Sequence, residues 1–218
     1  MYKAFIITIM DNSKSVEMAQ RCRQSCLRFG LDPVLWPAVT PRHPNFEELK
    51  EKYEIIEENF DTGWSRPDNA IACFLSMASL WEHAKEIDEP ILILEHDAVM
   101  MGRIPDDFDF GWVCTLGKPS YGKYETPIKI GTGPLVQKTY FGGAHAYTVS
   151  PQGARILLEN ISTRSRPTDV YLNIENFPFL QEYYPWVFRV NDSFSTIQKE
   201  AGCRAKHNYD RGIKLVEP

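Results

Sequence analysis

The stretch Ile91-Leu92-Ile93-Leu94-Glu95-His96-Asp97-Ala98-Val99-Met100 decides how this chain is read. It opens as an unbroken run of branched apolar residues after Pro90 and runs into two carboxylates. Such a run reads as a strand covered on both faces, as in a parallel sheet. Open α/β sheets bind ligands beyond the carboxyl ends of their strands, and Glu95 and Asp97 fall there. Residues two apart on a strand face the same way, so a strand that persists to Asp97 aims both carboxylates into one small volume. Two like charges in one site repel, and a divalent cation is the commonest remedy; hard oxygen donors suit Mg²⁺ or Mn²⁺. The plainer alternative is a strand that ends in solvated acids.

The neighbouring segments supply a sheet for that strand. Residues 67–87 form a long helix with Pro67 in its first turn and Ile71, Phe74, Leu75, Ala78, Leu80 and Trp81 on its apolar face. Residues 4–10 read as a first strand rich in β-branched residues, broken by Asp11-Asn12-Ser13, which offers a helix N-cap. The helix that follows closes at Gly30, and residues 34–36 form a second strand between prolines. A strand–helix–strand opening of this kind is a parallel crossover. An acidic helix over 46–58 carries no evident chemistry. Further strands are expected at 112–116, 144–149 and 187–190. Helices are expected at 152–159, after Ser150-Pro151, and from Pro167-Thr168-Asp169 onward. Residues 117–140 are rich in Gly, Pro, Lys and Tyr without periodicity, a length that marks a functional or mobile loop. The tail over 193–218 is polar and irregular. The whole, 1–218, reads as one α/β domain.

Composition narrows the class. A formal net charge of −5 argues against a general polyanion binder. The five cysteines lack the paired spacing of a zinc site and fit reduced thiols in a cytoplasmic protein. The first apolar run is too short for a signal core, and no stretch reaches membrane-spanning length, so no integral membrane segment is expected.

Four stretches in this order resemble glycosyltransferase family 25, the group of lipopolysaccharide and collagen sugar transferases. They are the opening unit ending in Pro33-Val34-Leu35-Trp36-Pro37-Ala38-Val39; Ala72-Cys73-Phe74-Leu75-Ser76 leading into Ile93-Leu94-Glu95-His96-Asp97-Ala98; Gly143-Ala144-His145-Ala146-Tyr147-Thr148-Val149-Ser150-Pro151-Gln152-Gly153-Ala154; and Arg166-Pro167-Thr168-Asp169-Val170-Tyr171-Leu172 with Ser195-Thr196-Ile197-Gln198 beyond it. The resemblance implies a GT-A type nucleotide-sugar-binding fold, with a mostly parallel central sheet and helices on both faces. It also implies a nucleotide-sugar donor (a UDP-sugar as leading candidate), a Mn²⁺ or Mg²⁺ cofactor and inversion at the sugar carbon. Three places depart from the family pattern: His96 stands where an aspartate is usual, Met77 follows Ser76 where histidine is common, and Asp11-Asn12-Ser13-Lys14 replaces an arginine-rich turn.

Under that resemblance Asp97 and Glu95 hold the metal, with His207 as a further ligand. Thr8, Ile9, Asp11, Ser76, Ser79 and His96 border the donor, His145 and Tyr147 contact donor or acceptor, and Asp169 is the base that takes the acceptor proton. Each has a plainer reading: a core histidine for His145, a surface histidine for His207, a helix-surface hydroxyl for Ser76 and Ser79, an N-cap for Asp169. The acceptor is a glycan, with a protein side chain or a modified DNA base as alternatives, the last requiring a basic stripe beside the cleft. A non-catalytic sugar- or partner-binding protein and a metal-dependent phosphoesterase are the competing functions.

Overall fold

The computed structural model describes residues 2–63, 65–120, 122–142, 144–190 and 196–197. The chain begins with β1 (Lys3–Thr8), α1 (Ser13–Leu27) and β2 (Val34–Pro37). Asn12 caps α1 through its side chain, which accepts the Ser15 N–H at 3.1 Å. Gly30, at φ +80°, lets the chain turn back beyond the last turn of α1. The expected crossover is present: β1 and β2 are parallel, with Phe5 opposite Val34.

Next come α2 (Phe46–Lys52), a short 3-10 turn, and α3 (Pro67–Ile87). The acidic helix is shorter than the sequence suggests, because Glu54 takes a left-handed backbone (φ 51°) and ends it. α3 keeps the bounds read from the sequence, with proline at its start and Asp88, also left-handed, at its end. It delivers the chain into β3 (Ile91–Glu95), followed by β4 (Ala98–Met100) and β5 (Val113–Thr115).

The remaining elements are β6 (Gly131–Pro134), β7 (Ala146–Val149), α4 (Pro151–Glu159), α5 (Ile161–Arg164), α6 (Thr168–Tyr171), β8 (Leu180–Tyr184) and β9 (Phe188–Val190). The main sheet has the order β2-β1-β3-β7-β5-β8-β6, and β4 pairs with β9 in a small second sheet. β2, β1, β3, β5 and β8 run one way; β7 and β6 run against them. The sheet is therefore mixed, with one direction dominant, as expected.

Alternation along the central strands divides the core in two. Phe5, Ile7, Ile91 and Ile93 pack with α3 and α4 on one face. Ala4, Ile6, Leu92 and Leu94 pack with α1 on the other. α4 lies so close to the sheet that a side chain at Gly153 would strike the Trp112 carbonyl. Besides β4, two strands lie where the sequence shows none. β6 falls inside the expected loop, and β8 (Leu-Gln-Glu-Tyr-Tyr) breaks alternation with a buried acid, Glu182. Glu182 earns that place by accepting the N–H groups of Val136 and Gln137 at 2.6 and 2.8 Å, which fixes the chain just after β6.

Candidate active site at the ends of the central strands

β1 and β3 are parallel neighbours, with Ile7 opposite Glu95, so their carboxyl ends open at the same level. From β1 the chain crosses to β2 on one side, and from β2 it returns through α3 to β3 on the other. That reversal makes the β1/β3 boundary a topological switch point, where open α/β sheets form clefts. A cleft of about 480 Å³ lies there. Its walls are the end of β1 (Ile7, Ile9, Asn12), the segment 38–42, the first half of α3 and the residues Glu95, His96 and Asp97.

The two carboxylates reach this cleft by a route the strand pattern did not foresee. β3 stops at Glu95, and His96 and Asp97 form a turn before β4. Glu95 keeps the parity of Ile91 and Ile93 and so faces α3. Asp97 arrives through the turn, not through alternation, and is buried at 7% exposure. The turn is tied to α1: Ser15 Oγ lies 2.9 Å from His96 Nδ1 and also accepts the Ile9 N–H at 2.9 Å. Burial and, secondarily, the Arg21 charge hold the His96 pKa down to about 4, so its imidazole is neutral at pH 7.

The electrostatics of the cleft are legible at Cys73, on the α3 wall. Its thiol is pushed well above the usual range by burial, then by the charges of Glu95, Asp169 and Asp97. Three carboxylates thus concentrate negative potential around one side chain. Arg42 and Arg66 line the same cleft and supply its positive charge. Two hard oxygen donors in a negative field fit Mg²⁺ or Mn²⁺ in donor chemistry. Among the described residues no group of three potential ligands closes around a single point, so Glu95 and Asp97 form at most part of a coordination shell.

Residues 1–107 match the model of glycosyltransferase family 25 (LPS biosynthesis protein), a span that contains β1, α3 and the Glu95–Asp97 turn. The chain is a glycosyltransferase. No curated protein matches it. Among solved structures it is similar to the apo form of mouse Xyloside xylosyltransferase 1, at 12% identity over 82% of this chain and 83% of that one, with a TM-score of 0.46. It is also similar to a glycosyltransferase involved in the glycosylation of the major capsid of PBCV-1, at 10% identity over 88% and 94%, with a TM-score of 0.42.

Of the residues singled out in this glycosyltransferase, Ile9, Ser76, Glu95, His96 and Asp97 line the cleft together. Ser76 is fully buried; its hydroxyl donates to the Ala72 carbonyl at 2.8 Å and accepts the Val39 N–H at 2.9 Å. Ser79 lies outside the lining and works alike, donating to the Ser76 carbonyl and accepting from Trp36 Nε1. Both serines therefore fasten β2 and the segment after it to α3. Thr8 is buried and donates to the Ile6 carbonyl, while Asp11 is exposed and pairs with Arg42 at 3.1 Å. Tyr147 is a core residue, its hydroxyl accepting from Trp81 Nε1 at 2.9 Å. His145 is buried against Gly117, and its carbonyl accepts the Glu95 N–H. Asp169 is half-buried on the single turn of α6, outside the lining but close enough to raise the Cys73 thiol. His207 lies outside the described residues.

Several wall residues escaped the sequence reading. The segment 38–42 forms one wall because Ala38 N–H donates to the Thr8 carbonyl and Val39 N–H to Ser76. Arg66 and Asn69, at the start of α3, hold Ile197 and Thr196 across the cleft mouth through bonds of 2.8 Å each. The available signal was Arg66 immediately before Pro67, a cation at the opening of the helix that faces the acids. The lysines at 118, 123, 129 and 138 do not line the cleft, so the basic stripe required by a DNA acceptor is not found there among the described residues.

Proposed function

We propose that this chain is a metal-dependent, inverting glycosyltransferase that moves a sugar from a nucleoside-diphosphate donor, with UDP-sugar as leading candidate, to a hydroxyl of a glycan acceptor. The observation that carries the reading is the convergence of Glu95 and Asp97 on one cleft at the β1/β3 switch point, inside the span matched to the family. Breaking the bond between an anomeric carbon and a diphosphate builds negative charge on the leaving group. Glu95 and Asp97 would hold the dication, which supplies charge neutralisation to that leaving group when bound.

The other residues position the partners. Ile9 and Asn12, at the end of β1, and the 38–42 wall border the space for nucleoside, with Ser76 holding Val39 in place. Arg42 and Arg66 face it with charge of the sign that phosphate oxygens require. Asp169 is the base in this reading: an inverting transfer needs a carboxylate opposite the leaving group to take the acceptor proton. Its charge acts on Cys73, as do those of Glu95 and Asp97, which supports this role.

The test is release of nucleoside diphosphate from a panel of nucleotide sugars, with Mn²⁺, with Mg²⁺ and with chelator, in the presence of glycan acceptors. Metal-dependent turnover of one donor is expected. Turnover unchanged by chelator would refute the metal, and no turnover with any donor would favour a binding protein.

A further inference from the structure

Among the described residues, the most exposed large apolar side chains lie in one loop. Ile128 is fully exposed (101%) and Ile130 nearly so (80%), with Lys129 between them. They stand at the tip of the loop that leads into β6. Neither has an internal packing role that would explain two large apolar groups held in water at the cost of their hydration.

Sheet register fixes the end of the sheet at which this loop lies. β6 runs against β8, with Gly131 opposite Tyr184, and β8 runs with β5 and β3. Gly131 therefore sits at the level of Tyr184 and Glu95, at the carboxyl end of the dominant strand direction. Four strand spacings separate β3 from β6, which puts the tip about 19 Å across the same end of the sheet that carries the cleft. The tip and the cleft therefore share one end of the sheet.

The surroundings of the tip share one chemistry. Tyr124, Tyr184 and Trp186 form an edge-to-face cluster, with ring centroids 5.5 and 5.2 Å apart, and Lys118 Nζ lies 5.9 Å over the Tyr124 ring. Lys118, Lys123, Lys129 and Lys138 lie in this segment against one acid, Glu125, in a chain whose net charge is −5. Other acids stand behind the tip and not on it: Glu182 accepts Trp186 Nε1 at 3.3 Å, the Asp169 charge acts on Lys138, and the Asp107 charge acts on Tyr183. Exposed aliphatics at a tip, aromatic rings behind them and lysines around them are the composition of a surface that enters a lipid headgroup region.

We propose that the 122–130 loop is an interfacial anchor that binds the surface of an anionic bilayer, placing the cleft toward acceptors at that surface. No described helix is long and apolar enough to cross a membrane, and this mode of attachment needs none. The attachment is a property of the loop and does not depend on the catalytic reading, because binding is measured without turnover.

The experiment is co-sedimentation of the full chain with vesicles of phosphatidylcholine alone or with added phosphatidylglycerol. Wild type should pellet with the anionic vesicles and be released as salt is raised. Ile128→Ser with Ile130→Ser should lower the partition coefficient at least ~10-fold. Lys123→Ala and Lys129→Ala should each lower it about 5-fold. These side chains are exposed, so the variants should keep the wild-type melting temperature, and nucleoside diphosphate release with a soluble acceptor should not change. No pelleting with anionic vesicles, equal pelleting with neutral ones, or pelleting indifferent to the isoleucine pair would overturn the proposal.

Discussion

His145 makes stability depend on pH in a way that can be computed in advance. The side chain is 1% exposed, wedged between β7 and Gly117, and burial pushes its pKa from 6.5 down to about 4, with the Phe188 backbone pulling weakly the other way. A folded pKa below the unfolded one means that the unfolded chain binds the proton more readily. Stability is then full above 6.5 and is lost as the pH falls toward 4. At about pH 5 the linkage integral for this one group is roughly 2 kcal/mol, and its limit at lower pH is roughly 3 kcal/mol. His96 shifts in the same direction. Glu182 works against both: its pKa is raised, chiefly by burial, so acidification relieves a cost there. A variant comparison isolates the histidine. Urea unfolding midpoints would be measured at about pH 7.5 and about pH 5, with chelator present, for wild type and His145→Leu, where ~2 kcal/mol corresponds to about 1 M urea. The acid-induced drop should shrink by about that amount in the variant, whatever its overall stability. An identical drop in both proteins would show that His145 does not titrate as a buried neutral imidazole.

Four other outcomes are expected. Asp97→Ala should abolish heat release when Mn²⁺ and donor are titrated together, and an unchanged calorimetric isotherm would remove Asp97 from the metal site. Asp169→Asn should fold normally yet lose roughly 10²–10⁴-fold in turnover; an equal rate ends its candidacy as base. Gly117→Ala drives a Cβ against the Nε2 edge of the His145 ring, 2.7 Å from Cε1, and should lower unfolding free energy by about 1–3 kcal/mol. Ser76→Ala leaves the Val39 N–H without its partner and should cost about 1–3 kcal/mol, read by denaturant titration, with weaker donor binding as the 38–42 wall loosens.

The elements legible in the sequence were those whose local chemistry and tertiary role agree. α3 combines a first-turn proline with an apolar face, and its bounds survive intact. α1 and α4 begin at side-chain caps, Asn12 and Ser150, that any chain of this sequence would use. β6 could not be read, because Gly-Thr-Gly-Pro has little strand preference of its own; it exists because β8 offers an edge and Glu182 fixes the residues after it. The site divides the same way. Acids that end an apolar strand announce themselves. A wall built from Ala38, Val39 and Thr40 does not, since backbone path and a buried serine put it there.

The turn at His96 shows how two acids can meet in one cleft without the strand alternation expected to align them. Strand alternation would have aligned Glu95 and Asp97, but β3 ends because Ala98, Val99 and Met100 leave the main sheet to pair with β9. That departure alone would carry Asp97 away from the cleft. Ser15 prevents it: one hydroxyl joins the Ile9 amide at the end of β1 to His96, so the turn is folded back over the start of α1 and Asp97 returns to the cleft. The two acids are therefore held by different devices, Glu95 by the sheet and Asp97 by a hydrogen-bonded turn. Ser15→Ala should consequently loosen Asp97 and leave Glu95 in register, weakening Mn²⁺ and donor affinity far more than global stability. A loss of stability that matches the loss of affinity would mean instead that the turn belongs to the core.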